Sequence, residues 1–198
     1  VAIPTNNFSA LAKFAIKEEV ALTIVGPEQP LVDGLVDFFQ ARDLAIFGPT
    51  KKAAQLEASK AFTKTFLERH GIPTGKYQIF SETAPALSYV REHGTPIVVK
   101  ADGLAAGKGV IVAKTIAEAE EAIQGMLSKK LFGNAGNRIV IEQFLEGEEV
   151  SFIVMVDGKN ILPMATSQDH KRVGTGDIGP NTGGMGAYSP APVVNGLL

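Results

Sequence analysis

From Ile97 to Ala113 the chain reads Ile-Val-Val-Lys-Ala-Asp-Gly-Leu-Ala-Ala-Gly-Lys-Gly-Val-Ile-Val-Ala, an order of residue types suited to holding an anion. An apolar run ends at Lys100, small residues follow, and a second β-branched run starts at Val110. Strand, glycine-rich loop, strand is the arrangement this predicts. Without bulky side chains, the backbone N–H groups from Asp102 and Gly103 through Gly107, Lys108 and Gly109 can close on a phosphate, with Lys100 and Lys108 supplying charge. A P-loop does not fit, because Gly103 and Gly107 stand only three residues apart and a strand rather than a helix comes next. A dinucleotide-binding fingerprint fails for the same lack of a following helix. A hairpin lying over phosphates as a flap remains, and on this segment alone an ordinary glycine-rich turn fits equally well.

Two further groups of residues bear on that choice. Lys60 follows Ser59 where a helix should start, so its ammonium can face the same anion. Glu142-Gln143-Phe144-Leu145-Glu-Gly-Glu-Glu149 then places carboxylates at both ends of an open stretch. One carboxylate can accept from an adenine amino group, exposed backbone can read the ring edge, and the second carboxylate can bind ribose hydroxyls. Taken without the hairpin, a solvated acidic turn is the better reading of that stretch. Ser167 to Pro190 carries six glycines, no apolar periodicity and the polar run Gln168-Asp-His-Lys-Arg172. It reads as a long functional loop.

The elements that must position these residues follow from periodicity. Val20–Val25 and Leu44–Phe47 read as buried strands, each ended by Gly-Pro, with a helix between them carrying Leu31, Leu35 and Phe39. Thr50 to His70 is helical, with a break at Ser59. Tyr77–Phe80 is a strand, Thr83–His93 a helix stopped by Gly94, and Thr115-Ile-Ala-Glu118 a capping box that opens another helix. Arg138–Ile141 is a strand, and Val150–Val156 pairs with Ile161–Ala165 across Asp157-Gly158. Domain limits are expected at 1–58, 59–73, 74–148 and 149–198, with the third forming a small lid.

Composition narrows the class. A net charge of −2 with scattered basic residues excludes a nucleic-acid surface, and the absence of cysteine excludes disulfides and thiolate metal sites. No apolar run approaches the length of a membrane helix and no signal peptide is evident, so no membrane partner and a cytoplasmic location are expected. Both ends read as the interior of a longer protein.

Together these features resemble the ATP-grasp superfamily: Lys60 on a helix, Lys100 at a strand end, a flap from Asp102 to Gly109, then Glu142 to Leu145 and Glu149. The closer resemblance is to the phosphoribosylamine–glycine ligases (glycinamide ribonucleotide synthetases) of purine biosynthesis. It rests on Gly26-Pro-Glu-Gln-Pro-Leu31, Phe47-Gly-Pro-Thr50, Ser59-Lys-Ala-Phe-Thr-Lys64, the Lys100–Gly109 flap, Gln168-Asp-His-Lys-Arg172 and Gly179-Pro-Asn-Thr-Gly-Gly-Met-Gly-Ala-Tyr188.

This resemblance implies an α/β, ATP-grasp architecture: part of an N-terminal parallel α/β domain, a small α+β lid, and the start of a C-terminal ATP-grasp domain. It implies ATP and Mg2+ (or Mn2+), with glycine and 5-phosphoribosylamine as small-molecule substrates and a monomeric enzyme. Lys60, Lys100, the flap residues Asp102, Gly103, Gly107, Lys108 and Gly109, and Glu142, Gln143, Phe144, Leu145 and Glu149 would bind ATP. Lys100, Asp169, Lys171 and Arg172 would be catalytic. Glu28, Pro30, Leu31, Asp169, Lys171, Asn181, Thr182, Gly183 and Gly184 would bind the acceptor side. The family's amino-terminal glycine loop is absent, and its metal ligands and Arg-Phe-Gly-Asp-Pro-Glu signature fall beyond Leu198, so no metal ligand is expected here. The segment by itself should not turn over. The alternatives are another ATP-grasp carboxylate–amine ligase of purine biosynthesis, or a non-catalytic nucleotide-binding fragment.

Overall fold

Asn7 begins the first helix, α1 (Phe8–Lys17), by accepting the Ala10 N–H at 3.1 Å. After it, β1 (Thr23–Ile24) pairs in parallel with β2 (Ile46–Phe47), and α2 (Glu28–Asp33) and α3 (Leu35–Gln40) cross between them. The computed structural model describes residues 1–105, 108–176 and 178–194, with backbone alone for Pro180 and Asn181. It divides into two units, one of residues 1–105 and 109–143, the other built mainly from residues after 143.

The β-α-β order expected of residues 1–50 is present, with two corrections. The single helix through Leu31, Leu35 and Phe39 is broken at Gly34, whose φ of 99° lies in the left-handed region that a side chain would oppose. The strand expected to be buried from Val20 to Val25 is two residues long, and Leu22 and Ile24 are exposed. Only its Val25 side joins the core of Ala12, Ala15, Leu35 and Phe39, so apolar content overstated its burial.

The chain then turns through α4 (Gln55–Ala58) into α5 (Lys60–Arg69), with Ser59 extended between them. Ser59 accepts the Phe62 N–H at 3.0 Å, which starts α5 at the expected break.

A four-stranded antiparallel sheet carries the rest of this unit: β3 (Tyr77–Phe80), β4 (Ile97–Ala101), β5 (Val110–Ala113) and β6 (Ile139–Gln143), in the order β3-β6-β4-β5. One face presents Ile97, Val99, Ala101, Ile139 and Ile141 to α6 (Thr83–His93) and α7 (Ile116–Ile123), burying Ala86, Val90, Ala119 and Ile123. Each large aliphatic side chain buried there contributes about 1.5–3 kcal/mol. The capping box is formed, with Thr115 and Glu118 each accepting from the other's backbone N–H. Because side chains alternate along a strand, Val98, Lys100, Val140 and Glu142 share the opposite face. This sheet and the β1–β2 sheet have no strand in common.

In the second unit β7 (Val154–Val156) pairs with β8 (Ile161–Pro163) across the expected Asp157-Gly158 turn. The long loop expected from Ser167 to Pro190 is instead a hairpin of β9 (Gln168–Gly174) and β10 (Ile178–Tyr188). Backbone pairing does not require apolar alternation. A glycine-rich strand with little buried surface leaves no periodic signal, although register shifts mark its irregularity.

Asp157 fixes the β7–β8 turn by accepting from the backbone N–H of Asn160 at 2.7 Å and of Lys159 at 2.9 Å. These bonds, with one from the Asn160 side chain, pull its carboxyl down to about 2. A depressed carboxylate stabilises the folded turn above its ordinary value, and that contribution should vanish as pH falls through about 2. Carboxyl carbon chemical shifts followed against pH should place the Asp157 midpoint there; a midpoint at the ordinary aspartate value would mean the turn is not closed.

Candidate functional site

Glu142 lies on β6, directly opposite Val98 of β4, and Lys100 lies diagonally across, opposite Val140. That diagonal is within reach of long side chains. The Lys100 ammonium pairs with Glu142 Oε1, and the Lys64 ammonium, coming from α5, stands 2.5 Å from Oε2. The Glu142 side chain is only 8% exposed, against 14% for Lys64 and 27% for Lys100, so one buried carboxylate is shared by two ammonium groups. Lys64 also donates to Thr74 Oγ1 at 2.7 Å.

Lys60 opens α5 and points at the base of the glycine hairpin. Its ammonium donates to the Gly103 carbonyl at 3.1 Å, and its backbone N–H donates to the Asp102 carbonyl at 3.1 Å. Burial pushes the Lys60 ammonium below the usual lysine value, while Asp102 pulls it back up and Lys100 lowers it further. A desolvated ammonium gains from an approaching anion. Two ammonium groups on the single Glu142 carboxylate leave this face of the sheet with excess positive charge.

Asp102 turns inward. Its carboxylate accepts from the Ser59 hydroxyl at 2.9 Å, from the Ala61 N–H at 2.7 Å and from the Arg138 guanidinium at 2.6 and 2.9 Å. It thereby joins the start of α5, the end of β4 and the approach to β6. Gly103 completes the joint, since a Cβ there would meet Ala135 Cα at 2.9 Å. Gly109 is buried, and a Cβ on it would stand 2.7 Å from that of Ala105. Lys108 is exposed, and Gly107 lies outside the described residues.

Gln143 closes the strand by accepting the Lys76 N–H at 3.4 Å, while Phe144 is half-buried and Leu145 exposed. In the second unit the ammonium of Lys171 pairs with Glu149 and has Asp169 at 3.8 Å. The bond to Glu149 raises the Lys171 ammonium above its usual value. Thr182 donates its hydroxyl to the Lys171 carbonyl at 2.8 Å and accepts the Gly184 N–H at 3.0 Å. Arg172 donates to the Gly179 carbonyl at 3.3 Å, and the backbone of Asn181 pairs with Arg172, its side chain lying outside the description. Gly183 adjoins them, open around its Cα. Glu28, Pro30 and Leu31 occupy α2; Pro30 is buried and Glu28 exposed.

Residues 58–197 match the family model described as phosphoribosylglycinamide synthetase, ATP-grasp (A) domain, and residues 1–57 match that of its N domain. The chain belongs to the phosphoribosylglycinamide synthetase family. Curated relatives named phosphoribosylamine–glycine ligase include those of Salmonella typhi, 70% identical, and Escherichia coli K12, 69% identical, each over 98% of this chain and 45% of the relative. The chain thus spans about half the length of the relatives it matches. The crystal structure of the Thermotoga maritima phosphoribosylamine–glycine ligase superposes with a TM-score of 0.75 at 30% identity, covering 91% of this chain and 44% of that one. The biotin carboxylase domain of Hydrogenobacter thermophilus 2-oxoglutarate carboxylase shares the fold at 18% identity and a TM-score of 0.68, over 87% of this chain and 40% of that one. The ATP-grasp architecture expected from the lysines and the flap is therefore that of the family.

Sequence spacing brought Lys60, Lys100 and Glu142 forward and marked Ser59 as a helix start, but it did not show that Lys64 pairs with Glu142 or that Ser59 and Arg138 pair with Asp102. The Lys60–Lys64 spacing of four, one helical turn, was the available signal. Arg138 carried none, because its partner is 36 residues away.

Replacing Asp102 with Ala leaves the Ala61 N–H without its acceptor and the Arg138 guanidinium with the Ser59 hydroxyl at 3.2 Å in place of a carboxylate, and should cost about 2–3 kcal/mol in urea unfolding. Arg138→Ala, whose side chain is 46% exposed, should cost less, about 1 kcal/mol. Equal losses would mean that Asp102 acts only through its ion pair.

Proposed function

We propose that the chain is the nucleotide-handling segment of a ligase that joins glycine to 5-phosphoribosylamine, giving glycinamide ribonucleotide, ADP and phosphate. The observation that carries this reading is the convergence of Lys64 and Lys100 on one buried carboxylate, with the Lys60 ammonium at the base of the adjoining glycine hairpin. Family membership supplies the substrates.

The chemistry suits those residues. Transfer of the ATP γ-phosphoryl group to the glycine carboxylate, and attack of the phosphoribosylamine nitrogen on the resulting glycyl phosphate, gather negative charge in one place. Lys60 and Lys100 would bind and orient the phosphates. The flap, including Gly103, Gly107, Lys108 and Gly109, would add backbone N–H donors and exclude water that would hydrolyse an acyl phosphate. Asp102 acts through the protein, holding the flap base against α5. Glu142 would accept from the adenine amino group and the Gln143–Leu145 backbone would read the ring edge, with Glu149 for the ribose. Asp169, Lys171, Arg172 and the Asn181–Gly184 stretch are assigned to the acceptor side, as are Glu28, Pro30 and Leu31. Among the described residues no group of three or more histidine, aspartate or glutamate side chains gathers to hold a metal ion. Among the same residues no helix is long and apolar enough to cross a membrane. A monomer acting on small molecules in the cytoplasm is the setting proposed.

Titration with a non-hydrolysable ATP analogue tests the nucleotide assignment. Lys100→Ala should weaken binding by about 2 kcal/mol, the worth of one charge-assisted contact. Equal affinity in a folded variant would remove the phosphate assignment. In a chain extended to the length of its relatives, phosphate release should require both glycine and phosphoribosylamine; release with bicarbonate or formate in place of glycine would point instead to a different ATP-grasp ligase.

A further inference from the structure

Lys64 is assigned no role in the nucleotide site as proposed above, yet it is more deeply placed than Lys100 and meets the same carboxylate. Resting on that nucleotide reading, we infer that Lys64 is a positioning residue: the resident counter-ion of Glu142 that frees Lys100 to leave for the phosphate.

The two ammonium groups are held differently. Lys64 comes from the middle of α5, donates to Thr74 Oγ1 at 2.7 Å, forms an ion pair with Glu142 Oε2 at 2.5 Å and stands beside the Tyr77 ring, 5.8 Å from its centroid. Lys100 stands at the end of β4, one residue before the hairpin, and its side chain is the more exposed of the two. Its Glu142 contact is the one that an incoming anion can replace. A carboxylate this buried is costly to leave without a cation, so Lys100 departs readily only where a second cation stays behind. Lys64 supplies it from a different element, independent of any movement in the hairpin. Departure of Lys100 also opens Glu142 Oε1 to a new donor, such as the adenine amino group. Without Lys64, Lys100 becomes the sole partner of Glu142, and nucleotide must compete with that pair.

A cycle of variants separates this from a direct contact. Analogue affinity is measured for the wild-type chain, Lys64→Met, Glu142→Gln and the double variant, with thermal unfolding to verify each fold. Lys64→Met should weaken binding about tenfold in the wild-type background and by less than about threefold in the Glu142→Gln background, where no buried charge holds Lys100. Lys64→Arg, which keeps the cation, should bind nearly as the wild type does. An equal loss in both backgrounds would show that Lys64 touches nucleotide itself or only packs, and no loss in either would show that it is a bystander; each outcome overturns the inference. Should Lys64→Met not fold, ammonium resonances of the wild-type chain decide: the analogue should shift that of Lys100 and leave that of Lys64 in place, and movement of both would refute the proposal. Failure of the nucleotide reading is distinct, since Lys100→Ala would then bind as tightly as the wild type.

Discussion

A carboxylate taken out of water must find positive charge, and in this chain Glu142 is that carboxylate. Its burial requires α5 to lie against the face of the sheet opposite α6 and α7, because only from there does the Lys64 ammonium reach Oε2. It also requires β4 and β6 to keep their register. A shift of one residue would turn Glu142 towards the apolar core and Val99 towards the lysines. The sheet thus has two unlike faces, one held by hydrophobic burial and the other by charge pairing. The second depends on the first, since the apolar face fixes the strands along which Lys100 and Glu142 are spaced.

Asp102 performs a related task with a different outcome. Its four protein donors account for its charge, and what it contributes is a fixed starting point for the hairpin. Glu142 is instead paired with two cations, of which Lys100, the more exposed, can meet another anion. Burial alone would not separate the two, as both are buried acidic residues. The difference lies in the partners: backbone N–H, hydroxyl and guanidinium around Asp102, and flexible ammonium groups around Glu142. A neighbourhood of fixed donors makes a brace, and a neighbourhood that includes one replaceable ammonium makes a site that can exchange one anion for another.

The hairpin of β9 and β10 is organised differently again. Along one face of β9 Asp169 neighbours Lys171, which also pairs with Glu149 from outside the hairpin; the Thr182 hydroxyl bonds to the Lys171 carbonyl and that of Tyr188 to the Gln168 side chain. Little apolar surface is buried in it, so backbone pairing sets its shape. Glycines let such a ribbon bend where side chains would resist, as at Gly179 with a φ of 85° and Gly184 with a φ of 123°.

Local signals determined much of this protein. The Thr115 capping box, the Ser59 helix start, the Gly94 stop and the Asp157-Gly158 turn each depend on atoms within a few residues, and each was legible from residue order. Sequence also marked Lys60, Lys100 and Glu142, because they occur together with a glycine hairpin, although each taken alone reads as a solvated charge. Tertiary structure decided what those charges meet. That Lys64 shares Glu142, and that Asp102 turns to Ser59 and Arg138 rather than towards the loop, depend on contacts 36 to 78 residues apart, along which no periodicity extends. The β9–β10 ribbon also became visible only in three dimensions. Its strands are held by backbone hydrogen bonds, which every residue but proline can donate and which leave no mark in the pattern of side chains.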